Sequence, residues 1–439
     1  MSKFDRRTVI AAGSALVTGS SFAAIGSGNE TGESSESEET ATDESEDAEP
    51  DDVRDADVVA DPANGWSSFR GGPGNTGAVP AEGDLEGLGG AAWSYEGVAV
   101  DSGAVAVADD TVYARTPDGE VHALDAADGS FEWTSGAIGA DESTVNMSDG
   151  ITPVVADDGV YVGGERLTAL DPASGDVRWT QGFDGTEMVF QPELGFGTVY
   201  AITGEYGERK FHAVNPTDGS VRWTRESVDA AGTDSFAPNS LAVTAEAVYA
   251  AVGDGSSERE IVALEPATGE TLWTFDPEDD ARSRLVAAGE RVFVTTPEET
   301  IVLDAATGER ERNVPGNRLL AVADGTALTA SGDGLHAIDL ETGDERWSYD
   351  TGSVHGPAIL GETAVSLRGC DRLSDDGEEV VGREYHVVGF DLEDGSDYWE
   401  FSLADLEHAP DSDFLRPGLP IVDGETVYLL WDGTLTALR

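Results

Sequence analysis

The sequence predicts an all-β protein, an eight-bladed β-propeller of four-stranded antiparallel blades, and three observations predict it. First, an acidic residue and a tryptophan eight positions later recur as Asp125/Trp133, Asp171/Trp179, Asp339/Trp347 and Asp391/Trp399, with Glu265/Trp273 and Asn215/Trp223 carrying a substituted anchor. A seventh unit, Asp304 to Arg312, keeps the spacing without the tryptophan, and the fourth residue after the anchor is always glycine: Gly129, Gly175, Gly219, Gly269, Gly308, Gly343 and Gly395. Second, 54 glycines in 439 residues and a near absence of long 3.6-period apolar patterns argue for short strands joined by turns. Third, the two ends complement each other. The last residues, "LPIVDGETVYLLWDGTLTALR", supply three strands, and the missing tryptophan strand sits at the start as "AAWSYEG" around Trp93. Pairing that N-terminal strand with the three C-terminal ones closes the ring and removes open sheet edges.

Each unit has the same internal order, visible in "PVVADDGVYVGGERLTALDPASGDVRWTQ" from Pro153. A short apolar strand, a tight turn, a second strand, a loop, a third strand ending at the anchor, the "PASG" turn and a tryptophan strand make one blade. Anchors follow one another at 35 to 52 residues, so seven complete units and the split one give eight blades from Gly65 to Arg439. The motif positions have structural work to do. Glycine suits the left-handed end of the turn. The anchor and the Asp, Ser or Thr three residues later suit hydrogen bonding to turn N–H groups. A tryptophan buried between blades contributes up to about 4–6 kcal/mol.

The pattern A-x-D-x-x-[TSD]-G-x-x-x-W, carried as "ALDPASGDVRW", "ALDAADGSFEW", "AVNPTDGSVRW", "ALEPATGETLW" and "AIDLETGDERW", resembles the docking repeat of the pyrroloquinoline-quinone-like (quinoprotein-type) propellers over most of residues 91–439. "NGWSSFRGGPGNTG" (64–77) is similar to the leader of stand-alone propellers of that superfamily. The resemblance implies the propeller fold and two functional directions. One is a dehydrogenase of alcohols or sugars, with pyrroloquinoline quinone over the ring axis, a calcium held by carboxylate and amide ligands, an aspartate base and often a disulfide. The other is a propeller without cofactor, such as an outer-membrane assembly scaffold. The lone Cys370 excludes the disulfide, and the calcium ligands and base cannot be placed on this sequence residue by residue.

Composition sets the surroundings. The formal charge of −62 repels nucleic acid and anionic lipid, and Lys3 and Lys210 are the only lysines among 25 basic residues. This balance resembles that of secreted proteins of extreme halophiles, of haloarchaeal type. Residues 1–28, "MSKFDRRTVIAAGSALVTGSSFAAIGSG", with Arg6 and Arg7 before a weakly apolar stretch, are similar to a twin-arginine export signal. Residues 29–64 are acidic, low in complexity and expected to form a disordered linker. The protein is then expected outside the cell or on its surface, monomeric, with no membrane span in the mature form. Sequons at Asn29 and Asn146 permit N-glycosylation.

Candidate sites are few. His122, His212 and His336 share one register and His386 lies on the same side of its strand; separated around a ring, they read as packing positions rather than as one metal site. His355 and His408 fall in expected inter-blade loops. The first turn and the anchor turn of each blade are short and share one face, whereas the other connections vary in length and share the opposite face. Variable loops on a rigid ring are where binding is placed. The longest insertion, "RGCDRLSDDGEEVVGRE", with Arg368, Asp371, Arg372, Asp375, Asp376 and Arg383, is the candidate binding loop. The expected function is an exported, non-catalytic binding or scaffolding module whose partner is another protein or a cell-surface component. No cofactor or metal is expected; the alternative is a dehydrogenase using pyrroloquinoline quinone and calcium.

Overall fold

The computed structural model describes residues 62–80, 85–99, 103–138, 151–184, 188–205, 208–228, 235–253, 259–277, 281, 284–331, 334–350, 354–373, 380–406 and 418–439. The export-signal segment, most of the acidic linker, both sequons and His408 lie outside them. The described residues form eight sheets arranged as the blades of a ring. We number the blades from the sheet that begins at Val105, so that their tryptophan positions are Trp133, Trp179, Trp223, Trp273, Arg312, Trp347, Trp399 and, in blade 8, Trp93. Blade 1 is typical, with strands Val105–Ala108, Thr111–Arg115, Val121–Asp125 and Phe131–Thr134 running outward from the axis. Its first hairpin turns on Asp109 and Asp110, both left-handed at φ 49° and 62°, as a two-residue turn between right-twisted strands demands.

Blade 8 closes the ring as the sequence predicts. Ile421–Asp423, Thr426–Trp431 and Thr434–Leu438 are completed by Ala91–Glu96, with Trp93 opposite Ala437. The seam is tied further: the Arg439 carbonyl accepts from the N–H groups of Gly89 and Gly90 at 2.6 and 3.0 Å. The Arg439 guanidinium donates to the Ala126 and Ala127 carbonyls of blade 1 at 2.6 and 2.7 Å.

The motif joins each blade to the next. Trp93, Trp133, Trp179, Trp223 and Trp273 donate Nε1–H to the residue after the following anchor, at Ala126, Pro172, Pro216, Pro266 and Ala305. The motif glycine, at φ +70° to +80°, is needed for a second reason that its turn alone does not reveal. The preceding blade's indole lies directly on it: a Cβ on Gly175 would stand 2.3 Å from the Trp133 ring. The alanine two residues before the anchor also acquires a role. Ala123, Ala169, Ala213, Ala263 and Ala337 each stand opposite their own blade's tryptophan at a β-bulge, and only a small side chain leaves room for the indole there.

Blade 5 departs from the pattern in both positions at once. Arg312 replaces the indole and stands opposite Val302 instead of alanine. Its Nη1 donates to the Glu341 carbonyl at 2.6 Å, a partial substitute for the tryptophan's bond, while its Nε is buried without a hydrogen-bond partner among the described residues. We expect the amides of blade 5 to exchange with solvent faster than those of blades 4 and 6. Equal protection across the three would contradict this reading.

The leader, residues 62–80, plugs the axis. Gly65–Trp66 pairs antiparallel with the inner strand of blade 1, and Ala78–Val79 pairs parallel with the inner strand of blade 7. Between these ends its carbonyls accept inner-strand N–H groups in turn: Pro73 from Val243 in blade 4, Gly74 from Ala287 in blade 5, Thr76 from Val322 in blade 6 and Gly77 from Ile359 in blade 7, at 2.7–2.8 Å. Asn75 Nδ2 donates to the carbonyls of Leu241 and Leu285 at 2.5 and 3.2 Å. These contacts lie toward the ends of the inner strands that lead into the short first turns, so the leader closes the axis on the face of constant loops.

Candidate functional site

The repeated residues do not form a site. Trp133, Trp179, Trp223, Trp273, Trp347, Trp399 and Trp93 are spread around the outer parts of the ring, and each is occupied with its neighbouring blade. The histidines are equally dispersed. His122 bonds Tyr95 and Glu120, His336 bonds Ser331 and Glu345, and His386 pairs with Glu400 at 2.8 Å. His212 is buried between Thr203 and Thr224, and burial lowers its pKa to about 4. His355 is not in a loop but in Val354–Leu360, the inner strand of blade 7.

The candidate binding loop is corrected to a hairpin. Thr363–Leu373 and Val380–Asp391 are paired strands of 11 and 12 residues, against 5 and 5 for their counterparts in blade 1. Glycine and aspartate made the segment read as a loop, but Asp371 stands opposite Arg383 and the two side chains pair across the strands at 2.9 Å. Arg368 is turned to the sheet, where it bonds Tyr349 Oη at 3.0 Å and pairs with Glu400. Arg372 lies on the first strand; Asp375 and Asp376 lie outside the described residues.

On the axis, above the leader, is a cavity of 440 Å³. Trp66, Arg70 and Gly77 of the leader line it, together with residues of blades 4 to 8 that include Arg259, Arg284, Arg318, Pro357 and Leu419. Arg259, Arg284 and Arg318 stand at strand ends on the variable-loop face. Among the described residues, the lining holds these four arginines and no Asp, Glu, His or Cys. Nor do the described residues elsewhere gather three metal-ligating side chains into a cluster.

The leader positions this group. Arg70 sits at the left-handed backbone position φ 60°, ψ 40° in the short turn Phe69–Gly71, and its guanidinium donates to the Leu319 and Leu320 carbonyls where the blade 6 inner strand bulges. Deep placement, with the positive charges of Arg284 and Arg318 beside it, pushes the Arg70 pKa down to about 10. Arg284 lies over the Phe69 ring at 4.7 Å, and Arg259 donates to the Ala281 carbonyl at 3.0 Å. Beside the cavity, the fully buried Glu193 of blade 3 has its pKa raised well above the usual carboxylate range by burial.

A second carboxylate marks where the leader meets blade 8. Asp423 is half-buried against Gly65; burial first, then the charges of Asp110 and Asp109, raise its pKa to about 6. The folded state therefore holds a proton that the unfolded chain releases near the ordinary carboxylate value. Stability from this group is full below about pH 4 and is lost as pH rises toward 6. Asp423→Asn is expected to raise stability at pH 7 by about 1–3 kcal/mol and to leave it unchanged at pH 4. Parallel melts at constant salt, showing no pH-dependent gain, would contradict this.

The sequence does not single out these arginines, because they come from four distant segments. The available signal is their scarcity: 25 basic residues stand against 87 acidic ones, and Arg70 is the one basic residue of the leader run "NGWSSFRGGPGNTG".

Comparison with known proteins places the fold. BamB from Moraxella catarrhalis aligns over 80% of this chain and 97% of its own, at 17% identity and a TM-score of 0.54. The quinohemoprotein alcohol dehydrogenase of Comamonas testosteroni aligns over 85% and 80%, at 17% identity and 0.62, and the computationally designed protein Ika8 over 80% and 100%, at 15% and 0.56. At such identities the likeness is one of fold. No curated protein gives a sequence match. The family described as outer membrane protein assembly factor BamB matches residues 81–255, 257–311 and 310–439, and the chain belongs to that family of quinoprotein-type propellers.

Proposed function

We propose that the protein is an exported, non-catalytic binding or scaffolding propeller at the cell surface of a halophile. One observation carries the reading: the axial cavity, where a ring of this type would gather chemistry, is lined by arginines with no carboxylate, imidazole or thiol among the described residues. Among the described residues of that lining an aspartate base has no counterpart. Calcium takes six to eight oxygen ligands, and guanidinium groups repel it, so the donor set does not fit that ion. The hairpin of blade 7, with the Asp371–Arg383 pair across its strands, extends beyond the strand lengths of the regular blades on the variable-loop face. Arg6 and Arg7 before the apolar stretch support export by the twin-arginine route, and the charge of −62 with two lysines supports a high-salt exterior. Among the described residues no helix is long and apolar enough to cross a membrane. The scaffold role also draws on the assembly-factor family to which the chain belongs.

The test is reconstitution of the purified protein with pyrroloquinoline quinone and calcium in molar salt, followed by a dye-linked dehydrogenase assay across alcohols and sugars. The reading expects no turnover above the protein-free control. Turnover that is lost on calcium removal would replace it with the dehydrogenase alternative.

A further inference from the structure

Buried polar atoms meet without partners where the leader crosses blade 3. Glu193, in the inner strand Glu193–Gly195, is 1% exposed, and its Oε2 has no hydrogen-bond partner among the described residues. Ser68 Oγ and Asn75 Oδ1 of the leader, beside it, are buried and unpartnered in the same way. The space between Glu193 and Asn75 measures about 10 Å³, room for one water molecule at most. A buried carboxylate requires a cation or several donors, and among the described residues no ion pair reaches Glu193. The neutral acid requires only an acceptor for its proton, and Ser68 Oγ and Asn75 Oδ1 are both open. Gln191, Tyr200 and Asn239 around it are uncharged. Its charged neighbours are Arg70, which donates to the Leu319 and Leu320 carbonyls, and Arg284, which lies over the Phe69 ring. Drawing either guanidinium to an ionised Glu193 would break a contact that docks the leader. At the other end of the leader, Asp423 is pressed against Gly65, with Asp109 and Asp110 of blade 1 facing it and Tyr428, next to Arg439, on its own blade.

We propose that the leader is a proton-latched plug: it stays docked while Glu193 and Asp423 carry protons, and their ionisation frees it to lift and open the ring axis on the constant-loop face. The docked state holds protons that the undocked state, with both carboxyl groups in water, releases near the ordinary carboxylate value. Docking is therefore strongest below about pH 4 and weakens as pH rises, by up to about tenfold per pH unit for each group. The part due to Asp423, whose pKa burial and the two aspartates raise to about 6, is complete near that pH, and the part due to Glu193 continues well above the carboxylate range. Lifting the leader strips the N–H groups of Val243, Ala287, Val322 and Ile359 of their acceptors together. The ring persists, because the indole bonds that join blade to blade do not involve the leader. The proposal goes beyond the scaffolding reading and does not depend on it.

The experiment is hydrogen exchange of the full chain in molar salt from about pH 5 to about pH 9, with labelling times scaled to the intrinsic exchange rate. Protection of the leader and of the Val243, Ala287, Val322 and Ile359 amides is expected to fall at least tenfold over that range, while the outer strand Val177–Gln181 keeps its protection. Glu193→Gln, a neutral replacement of the same shape, should abolish the fall above about pH 7, and adding Asp423→Asn should abolish what remains below it. Should Glu193→Gln fail to fold, infrared titration of the unaltered protein decides. A protonated-carboxyl band present at about pH 7 and lost in step with leader protection supports the latch, and its absence at that pH overturns it. Constant leader protection across the range, or a fall of the same size in the double variant, would overturn the proposal. Equal loss in the outer strands would overturn it in favour of global unfolding.

Discussion

Trp273→Ala is expected to destabilise the ring by about 3–5 kcal/mol, the usual loss for a large buried aromatic. The side chain is 8% exposed, its Nε1 donates to the Ala305 carbonyl at 2.9 Å, and its ring stands 5.8 Å from that of Tyr249. Removing it leaves a void between blades 4 and 5, directly over Gly308, and leaves the Ala305 carbonyl with only the longer bond from Tyr249 Oη at 3.4 Å. Blade 5 already lacks its own indole, so two successive interfaces would then be weak. The check is the denaturant midpoint at fixed high salt, compared with Phe131→Ala, an exposed aromatic in blade 1 for which little change is expected. Equal effects of the two substitutions would mean that the docked indoles are not what joins the blades.

Gly74→Ala is expected to be the most damaging small change in the leader, at about 2–4 kcal/mol. Its backbone needs no special conformation. The difficulty is space: a Cβ there would stand 2.2 Å from the Ala287 carbonyl oxygen, which is backbone and cannot swing aside. The leader would have to lift, breaking the bond from Ala287 N–H to the Gly74 carbonyl and disturbing the Asn75 contacts next to it. Gly72→Ala, which meets nothing within 4 Å, is the control and is expected to be neutral. Matched melting midpoints for the two variants would contradict the plug.

How much of this was legible in the sequence follows from how each feature is encoded. The blades repeat, so the same requirement is written several times over; Gly129, Gly175 and Gly219 could be read against one another, and Trp93 found its place because the C-terminal unit lacked it. Even the departure at Arg312 stood out against that background, although its partner Val302 gained meaning only once the bulged pairing was seen. The leader is written once. "NGWSSFRGGPGNTG" reads locally as loop, and its path is fixed by single hydrogen bonds to strands more than a hundred residues away. Hairpin strands rich in glycine and charge, such as "RGCDRL", likewise look like loop until their partner strand is known. The arginine cavity was the least legible. Arg70, Arg259, Arg284 and Arg318 share no motif, and their meeting is a property of ring closure.

The central proposal is that this propeller binds or scaffolds without quinone chemistry of its own. A crystal structure of the protein soaked with pyrroloquinoline quinone and calcium in molar salt tests it most directly. The proposal expects the axial cavity to hold only solvent. Density for quinone with calcium on the axis would contradict it.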